Sequence, residues 1–144
     1  MKMNGALMIV LALLIGIVPQ FADCLSQGSQ LTLENGRQIP MKCHWTARAE
    51  MGLALPLLAT GILLVVFRRR DAQRILSLIG ALLGVTAILL PTTLIGVCAN
   101  PSMLCKSFMQ PFLILTGSLV IVVGLLGVVQ TFWARSMQLQ KEAA

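Results

Sequence analysis

The sequence predicts an all-α, polytopic membrane protein: a four-transmembrane-helix bundle with a small disulfide-stabilised extracytoplasmic cap. The first observation is composition, because 57% of the 144 residues are hydrophobic, 11% are charged and the mean hydropathy is +0.87. A soluble domain carries about 25% charged residues. The second observation is that the apolar residues form blocks close to the roughly 20 residues that cross a bilayer. The third is that the cysteines fall between these blocks.

The chain is expected to form one domain, residues 1–144, in which short loops join the spans. The predicted spans are residues 5–22, 49–67, 75–97 and 111–133, and the predicted outside loops are residues 23–48 and 98–110. An alternative for the first span is a signal peptide cleaved after Ala22. Gln20-Phe21-Ala22 matches the usual A-x-A recognition pattern poorly, so we expect this span to remain in the protein as a helix.

The first loop contains a predicted β-hairpin. Leu31-Thr32-Leu33 and Gln38-Ile39 flank Asn35-Gly36. Asn-Gly favours a tight, two-residue primed turn between antiparallel strands. We therefore expect a small hairpin with such a turn.

The orientation of the bundle follows from the basic residues in its short loops, because the side richer in Lys and Arg faces the cytoplasm. One side collects seven basic residues: Lys2, Arg68, Arg69, Arg70, Arg74, Arg135 and Lys141. The other side collects four: Arg37, Lys42, Arg48 and Lys106. Both termini are thus expected in the cytoplasm and both cysteine loops outside. The net charge of +6 comes from basic residues beside the apolar spans, so we attribute it to membrane topology. No aromatic residues are interleaved for base stacking, so we expect no nucleic-acid partner.

This orientation is testable with reporters of topology. A reporter placed next to Arg70 should be inaccessible from outside intact cells, whereas reporters in residues 23–48 and 98–110 should be accessible. Exterior labelling next to Arg70 would contradict the predicted orientation.

The four cysteines are predicted to be structural disulfides. Cys24 and Cys43 lie in one outside loop and Cys98 and Cys105 in the other, where an oxidising compartment favours disulfide bonds. Four cysteines allow three pairings. We expect the local pairs, Cys24–Cys43 and Cys98–Cys105, and the alternative pairs join the two loops.

A redox role is the alternative interpretation of these cysteines. Four spans with two outside cysteine pairs resemble, in outline, the quinone-linked disulfide-generating membrane oxidoreductases. Those enzymes carry a C-x-x-C motif, whose spacing helps to lower a thiol pKa. Here Cys98 and Cys105 are separated by six residues and Cys24 and Cys43 by more. The spacing therefore favours structural disulfides over catalysis, and we expect no catalytic residue.

The stretch Met41–Gly52 forms a polar lip at the start of the second predicted span. It contains His44, Trp45, Arg48 and Glu50, which we expect to sit near the lipid headgroups or to contact a partner. Small-molecule or metal binding at this lip is a weaker alternative. The candidate ligands are Cys43 and His44, with Met41 or Met103 for a soft metal. Adjacent residues seldom place two ligand atoms on one ion, and only one histidine is present, so we expect no metal site. None of the predicted span centres carries an ionisable group, which argues against a proton-coupled transporter.

Small residues in the third and fourth spans are predicted to let helices approach closely. They are Gly80, Gly84, Gly117 and Gly124. The helices that they bring together are expected to be those of the chain itself, with a partner's helix as the alternative.

Two motifs carry a family resemblance. They are Cys43-His44-Trp45-Thr46 with Ala49-Glu50-x-Gly52, and Pro91-Thr92-x-x-Ile95-Gly96-Val97-Cys98 followed by Pro101-x-Met103-x-Cys105. The chain resembles a family of small bacterial four-helix membrane proteins classed only as a domain of unknown function. The resemblance implies a multi-pass protein of the bacterial cytoplasmic membrane.

The predicted function is that of a non-enzymatic accessory or structural subunit of a membrane complex. Its expected partners are the lipid bilayer and a membrane protein, with a transporter complex as one candidate. We expect no cofactor. A thiol–disulfide oxidoreductase is the alternative.

Overall fold

Four long helices and one small hairpin make up this computed structural model, which describes residues 2–22, 28, 31–67, 69–98 and 104–142. The elements are α1 (Lys2–Phe21), β1 (Leu31–Thr32), β2 (Gln38–Ile39), α2 (Lys42–Val66), α3 (Arg70–Leu89) and α4 (Gln110–Glu142). A π-helical turn at Leu90–Leu94 extends α3, and a second π turn at Cys105–Met109 leads into α4. Within the described residues, four helices are long and apolar enough to cross a membrane. The prediction of an all-α, four-helix membrane protein is confirmed at this level.

The outward surfaces of the helices are apolar. Large exposed side chains include Leu7 on α1, Leu55 on α2, Leu82 on α3 and Leu115 on α4. In water, contiguous apolar surface of this kind is an aggregation hazard. In a bilayer, the same surface meets lipid chains, while each helix satisfies its own backbone hydrogen bonds. The amino-acid pattern therefore fits a membrane as solvent.

The helices form a ring in which α1 packs along α2 and α3 packs along α4. Contacts of α2 with α3 and of α1 with α4 close the ring. The core contains the fully buried side chains Met8, Ile15, Leu57, Leu113 and Val120. The first helix thus supplies part of the core. Its last turn is also tied to α2, because the Gln20 side-chain amide donates to the Ala47 carbonyl at 2.8 Å.

Close contact between α3 and α4 depends on glycine. A Cβ at Gly84 would lie 3.0 Å from the Gly117 carbonyl oxygen, and a Cβ at Gly117 would lie 2.7 Å from Ile88 Cγ1. Gly124 meets the Ser77 carbonyl in the same interface, and Gly80 faces the tip of Met8 from α1. These four glycines, singled out in the sequence, lie at contacts within the chain.

Several helices begin earlier or end later than predicted. The second helix begins at Lys42 instead of 49, α3 begins at Arg70 instead of 75, and α4 continues beyond 133 to Glu142. Hydropathy measures how well a segment partitions into lipid, and it does not register polar turns that continue a helix at the membrane surface. At the start of α3, for example, Asp71 in the first turn is favoured by the helix dipole. The predicted lip is therefore the first turns of α2, and not a loop.

The predicted hairpin is present, but its turn differs from the predicted type. Leu31 pairs with Ile39 and Thr32 with Gln38. The Gly36 amide bonds the Leu33 carbonyl at 2.9 Å, and the Leu33 amide bonds the Arg37 carbonyl at 2.9 Å. Only Gly36 in this turn has a positive φ, of 71°. A primed two-residue turn needs positive φ at Asn35 as well, so this is the three-residue loop with a glycine bulge.

The α3–α4 contact yields a stability prediction. Gly84→Val should lower the free energy of unfolding by about 1–3 kcal/mol, because the added atoms overpack a backbone contact. Gly52→Val is the matched control, since a Cβ at Gly52 meets no atom within 4 Å. Denaturant titration of helicity in micelles measures both. Equal losses for the two variants would contradict the proposed role of Gly84.

Candidate functional site

One end of the bundle, where α1 and α3 finish and α2 and α4 start, holds the candidate site; we call it the cysteine end. Its shape begins with Pro91, which has no backbone N–H to donate to the carbonyl of Ala87, four residues earlier. The chain widens into the π turn Leu90–Leu94, and the amides of Ile95 and Gly96 both bond the Leu90 carbonyl at 3.1 Å. Gly96 then takes a positive φ of 77°, which turns the chain away from the axis of α3.

A side-chain hydrogen bond attaches this turned segment to α2. The hydroxyl of Thr46 donates to the Gly96 carbonyl at 2.7 Å. Thr46 is fully buried and lies one turn after Cys43 on the inward face of α2. The bond therefore holds the segment that carries Cys98 beside the first turn of α2.

Three cysteine sulfurs meet at this end, and we call Cys43, Cys98 and Cys105 the cysteine cluster. The Sγ atoms of Cys43 and Cys98 are 3.3 Å apart, and all three Sγ atoms lie within 4.8 Å of one another. Met41 contributes a fourth sulfur, with its Sδ 3.8 Å from Cys98 Sγ. Cys43 and Cys105 are buried, whereas Cys98 is half-buried. Each cysteine comes from a different segment: the start of α2, the segment after α3, and the π turn before α4.

The structure does not contain the predicted Cys98–Cys105 disulfide. Both residues are thiols. The Cys43–Cys98 separation is also far longer than the roughly 2.05 Å of a disulfide bond. Cys105 lies on a helical turn and faces the core, and it does not close a small loop with Cys98. No disulfide joins any two of the described cysteines.

Cys43 itself is a disulfide-bonded cysteine, and Cys98 and Cys105 are not its partners. Cys24, its predicted partner, lies outside the described residues. The Cys24–Cys43 pairing therefore stays a prediction.

The predicted lip residues do not form one site. Trp45 and Arg48 are exposed, His44 is half-buried and Glu50 is fully buried. His44 and Trp45 contact each other edge-to-face, with ring centroids 6.0 Å apart. Successive helical residues point about 100° apart, so Cys43 and Glu50 face the bundle interior while Trp45 and Arg48 face outward. His44 does not belong to the group of sulfur ligands found among the described residues.

Glu50 lies deeper than the sequence indicated. Because α2 begins at Lys42, Glu50 lies well inside the 25-residue span instead of at its mouth. Its side chain is 0% exposed, and neither carboxylate oxygen has a hydrogen-bond partner among the described residues. The prediction concerned the span centres, and Glu50, the ninth residue of the 25-residue span, lies between its mouth and its centre. An acid at this depth weakens the argument against proton-linked chemistry.

A second polar cluster lies at the opposite end of the bundle. Asn4, Gln73, Ser77 and Thr131 line a cavity of about 10 Å³, which has room for one water molecule. Nearby, an Arg74 guanidinium nitrogen donates to the Thr131 carbonyl at 3.1 Å, and the guanidinium stacks 4.4 Å above the Phe132 ring. These groups connect α1, α3 and α4 at that end.

Two residues that build the site, Thr46 and Gly96, had no predicted role, whereas Met41 had been considered as a ligand for a soft metal. Thr46 and Gly96 both lie inside the motifs that carried the family resemblance. The only indication in the sequence that they belong to the site was their position close to Cys43 and Cys98. Their pairing across 50 residues was not visible without the fold.

The Thr46–Gly96 bond yields a prediction about local order. Thr46→Val should speed hydrogen exchange at the Val97 and Cys98 amides and lower the free energy of unfolding by about 0.5–1.5 kcal/mol, because a buried hydrogen bond is lost. Thr116→Val is the matched control, since that buried hydroxyl bonds only carbonyls of its own helix. Unchanged exchange at Val97 and Cys98 in Thr46→Val would contradict this role.

Comparison with known proteins supplies a family but no function. No curated protein and no solved structure is detectably similar to this chain. A family model described as "Domain of unknown function (DUF4418)" matches residues 6–130 and so spans most of the chain. The matched region includes all three members of the cysteine cluster. The chain belongs to the DUF4418 family of unknown function.

Proposed function

We propose that this protein performs thiol–disulfide exchange at the cysteine cluster. The observation that supports it most directly is the 3.3 Å separation of the Cys43 and Cys98 sulfurs. Exchange requires a thiolate next to a disulfide sulfur. Cys43 supplies the disulfide sulfur and Cys98 supplies the thiol, which are the two groups that an exchange reaction needs. Van der Waals contact between such sulfurs is the arrangement that precedes attack.

The exchange step is balanced within the chain. The Cys98 thiolate attacks Cys43 Sγ, and a Cys43–Cys98 bond forms. The bond between Cys43 and its present partner, which we propose to be Cys24, breaks at the same time. The released sulfur leaves as a thiolate and takes up the proton that Cys98 gave up. The number of disulfides is unchanged.

The burial of the two sulfurs suggests the route to an external partner. Cys98 is half-buried and Cys43 is fully buried, so an incoming thiol reaches Cys98 first. A partner dithiol that reduces the Cys43–Cys98 bond loses two electrons and two protons and becomes a disulfide. The protein gains them as two thiols. The partner class is therefore a protein or peptide with two neighbouring cysteines.

The cellular setting belongs to the same proposal. We propose that the cysteine end faces the outside of a bacterial cytoplasmic membrane and that both termini lie in the cytoplasm. The support is the excess of basic residues, seven against four, at the opposite end of the bundle. In such an oxidising compartment, disulfide bonds form and persist.

An accessory or structural role is the second candidate. Its support is the outward-facing Trp45, which is 59% exposed, with Arg48 one turn along α2. Aromatic and arginine side chains are common anchors in protein interfaces. In this role a Cys24–Cys43 disulfide would stabilise the cap, and the exposed residues would contact a membrane-protein partner such as a transporter subunit.

The two candidates predict different behaviour for single cysteine variants. The oxidised protein in detergent is mixed with a reduced dithiol peptide, and peptide oxidation and mixed disulfides are followed by mass spectrometry. Under the exchange proposal, Cys98→Ser abolishes peptide oxidation and leaves helicity and thermal stability close to those of the parent protein. Cys105→Ser, which removes another cluster sulfur, is the matched control and should retain the reaction.

The accessory role predicts no peptide oxidation by the parent protein. It also predicts that Cys43→Ser and Cys24→Ser lower stability equally, by about 2–4 kcal/mol. Peptide oxidation at the parental rate by Cys98→Ser would contradict the exchange mechanism.

A further inference from the structure

We propose that the cysteine cluster, once Cys43 is reduced, binds one monovalent copper ion through Cys43, Cys98 and Cys105. The sequence argued against a metal because Cys43 and His44 are adjacent, only one histidine is present and the cysteines were expected in disulfides, although Met41 was a candidate ligand for a soft metal. The fold provides a different set, in which three sulfurs come from three segments of the chain. The inference uses the residues of the proposed exchange site but needs only a reducible Cys43, and not exchange activity.

The distances suit a single ion. Metal–thiolate bonds of about 2.3 Å in tetrahedral geometry separate the sulfurs by roughly 3.8 Å. The observed Sγ separations, 3.3 Å for Cys43–Cys98 and up to 4.8 Å for the group, lie on either side of that value. Displacements of roughly 1 Å or less therefore bring the ligands onto one ion. Two of the three sulfurs are carried by helical turns, which limits the ordering that binding requires.

The fourth sulfur favours copper(I) over zinc. Met41 Sδ lies 3.8 Å from Cys98 Sγ at the edge of the cluster. Thioether and thiolate ligands together select soft monovalent copper, whereas zinc sites use thiolate, imidazole and carboxylate. The described residues place no imidazole or carboxylate in the cluster.

The local charges favour bound thiolates. Cys43 lies in the first turn of α2, and Cys105 begins the π turn that leads into α4. Helix N-termini stabilise negative charge. Lys42 and Lys106 adjoin these two cysteines in the chain, and both are exposed. Binding of Cu⁺ to three thiols releases three protons and leaves a complex of charge −2.

Oxidation and copper binding exclude each other at this cluster. A disulfide-bonded Cys43 has no thiolate to donate, so the oxidised protein lacks one of three ligands. A dithiol reductant supplies two electrons and two protons, opens the disulfide of Cys43 and is itself oxidised to a disulfide. The redox state of Cys43 thereby switches copper binding on or off.

The test uses the full chain in detergent micelles without oxygen. Protein reduced with dithiothreitol, then freed of it, is titrated with Cu(I) against a chromophoric Cu(I) chelator. The reduced parent protein should remove one Cu(I) per chain from the chelator, and oxidised protein should remove none. Cys98→Ser and Cys105→Ser should each abolish this competition, whereas Cys24→Ser, outside the ligand set, should retain it. Helicity of each variant shows that it is folded.

Three results would overturn the proposal. They are no copper uptake by the reduced parent protein, equal loss of uptake in Cys24→Ser and Cys98→Ser, and tighter retention of Zn²⁺ than of Cu(I). Met41→Leu tests the thioether: it should weaken Cu(I) binding and leave Zn²⁺ binding unchanged. Peptide oxidation without copper uptake refutes this site alone. Copper uptake without peptide oxidation supports it and refutes the exchange activity.

Discussion

The constraint on which this structure depends is that backbone polar groups inside a bilayer must find partners within the protein. Four continuous helices meet that requirement along most of the chain. Pro91 interrupts it, because its nitrogen has no hydrogen to donate. The chain recovers through a π turn, in which Leu90 accepts two amides, and through Thr46, which bonds the Gly96 carbonyl. The Thr46 bond also holds the segment that carries Cys98 beside α2.

The two ends of the bundle differ in chemistry. At the cysteine end, reactive sulfurs converge from segments that are far apart in the chain. At the other end, amide, hydroxyl and guanidinium groups connect helices. Between them, α3 and α4 pack through glycine and small side chains. Glu50 lies on the same face of α2 as Cys43, and it is the acidic side chain that is fully buried among the described residues. An acid without a described partner at that depth points to function more than to packing.

The fold changes the meaning of the cysteines. Spacing along the chain suggested two local staples, since neighbouring cysteines in short loops close disulfides readily. In three dimensions, Cys105 belongs to a helical turn and Cys98 to a segment held against α2. The Cys43 and Cys98 sulfurs, 3.3 Å apart, therefore come from two different predicted loops. Contact between sulfurs of distant segments is a property that chain spacing did not indicate.

The sequence by itself determined the class of protein and the number of spans. These properties follow from local composition, because transfer into lipid depends on the residues of each segment alone. Only the tertiary structure decided that the lip begins α2, that Glu50 is buried and that three sulfurs form one cluster. Each of these depends on where a helix starts or on contacts between distant residues, such as Thr46 with Gly96. Hydropathy and spacing carry no information about such contacts, since they describe neighbours in the chain and not neighbours in space.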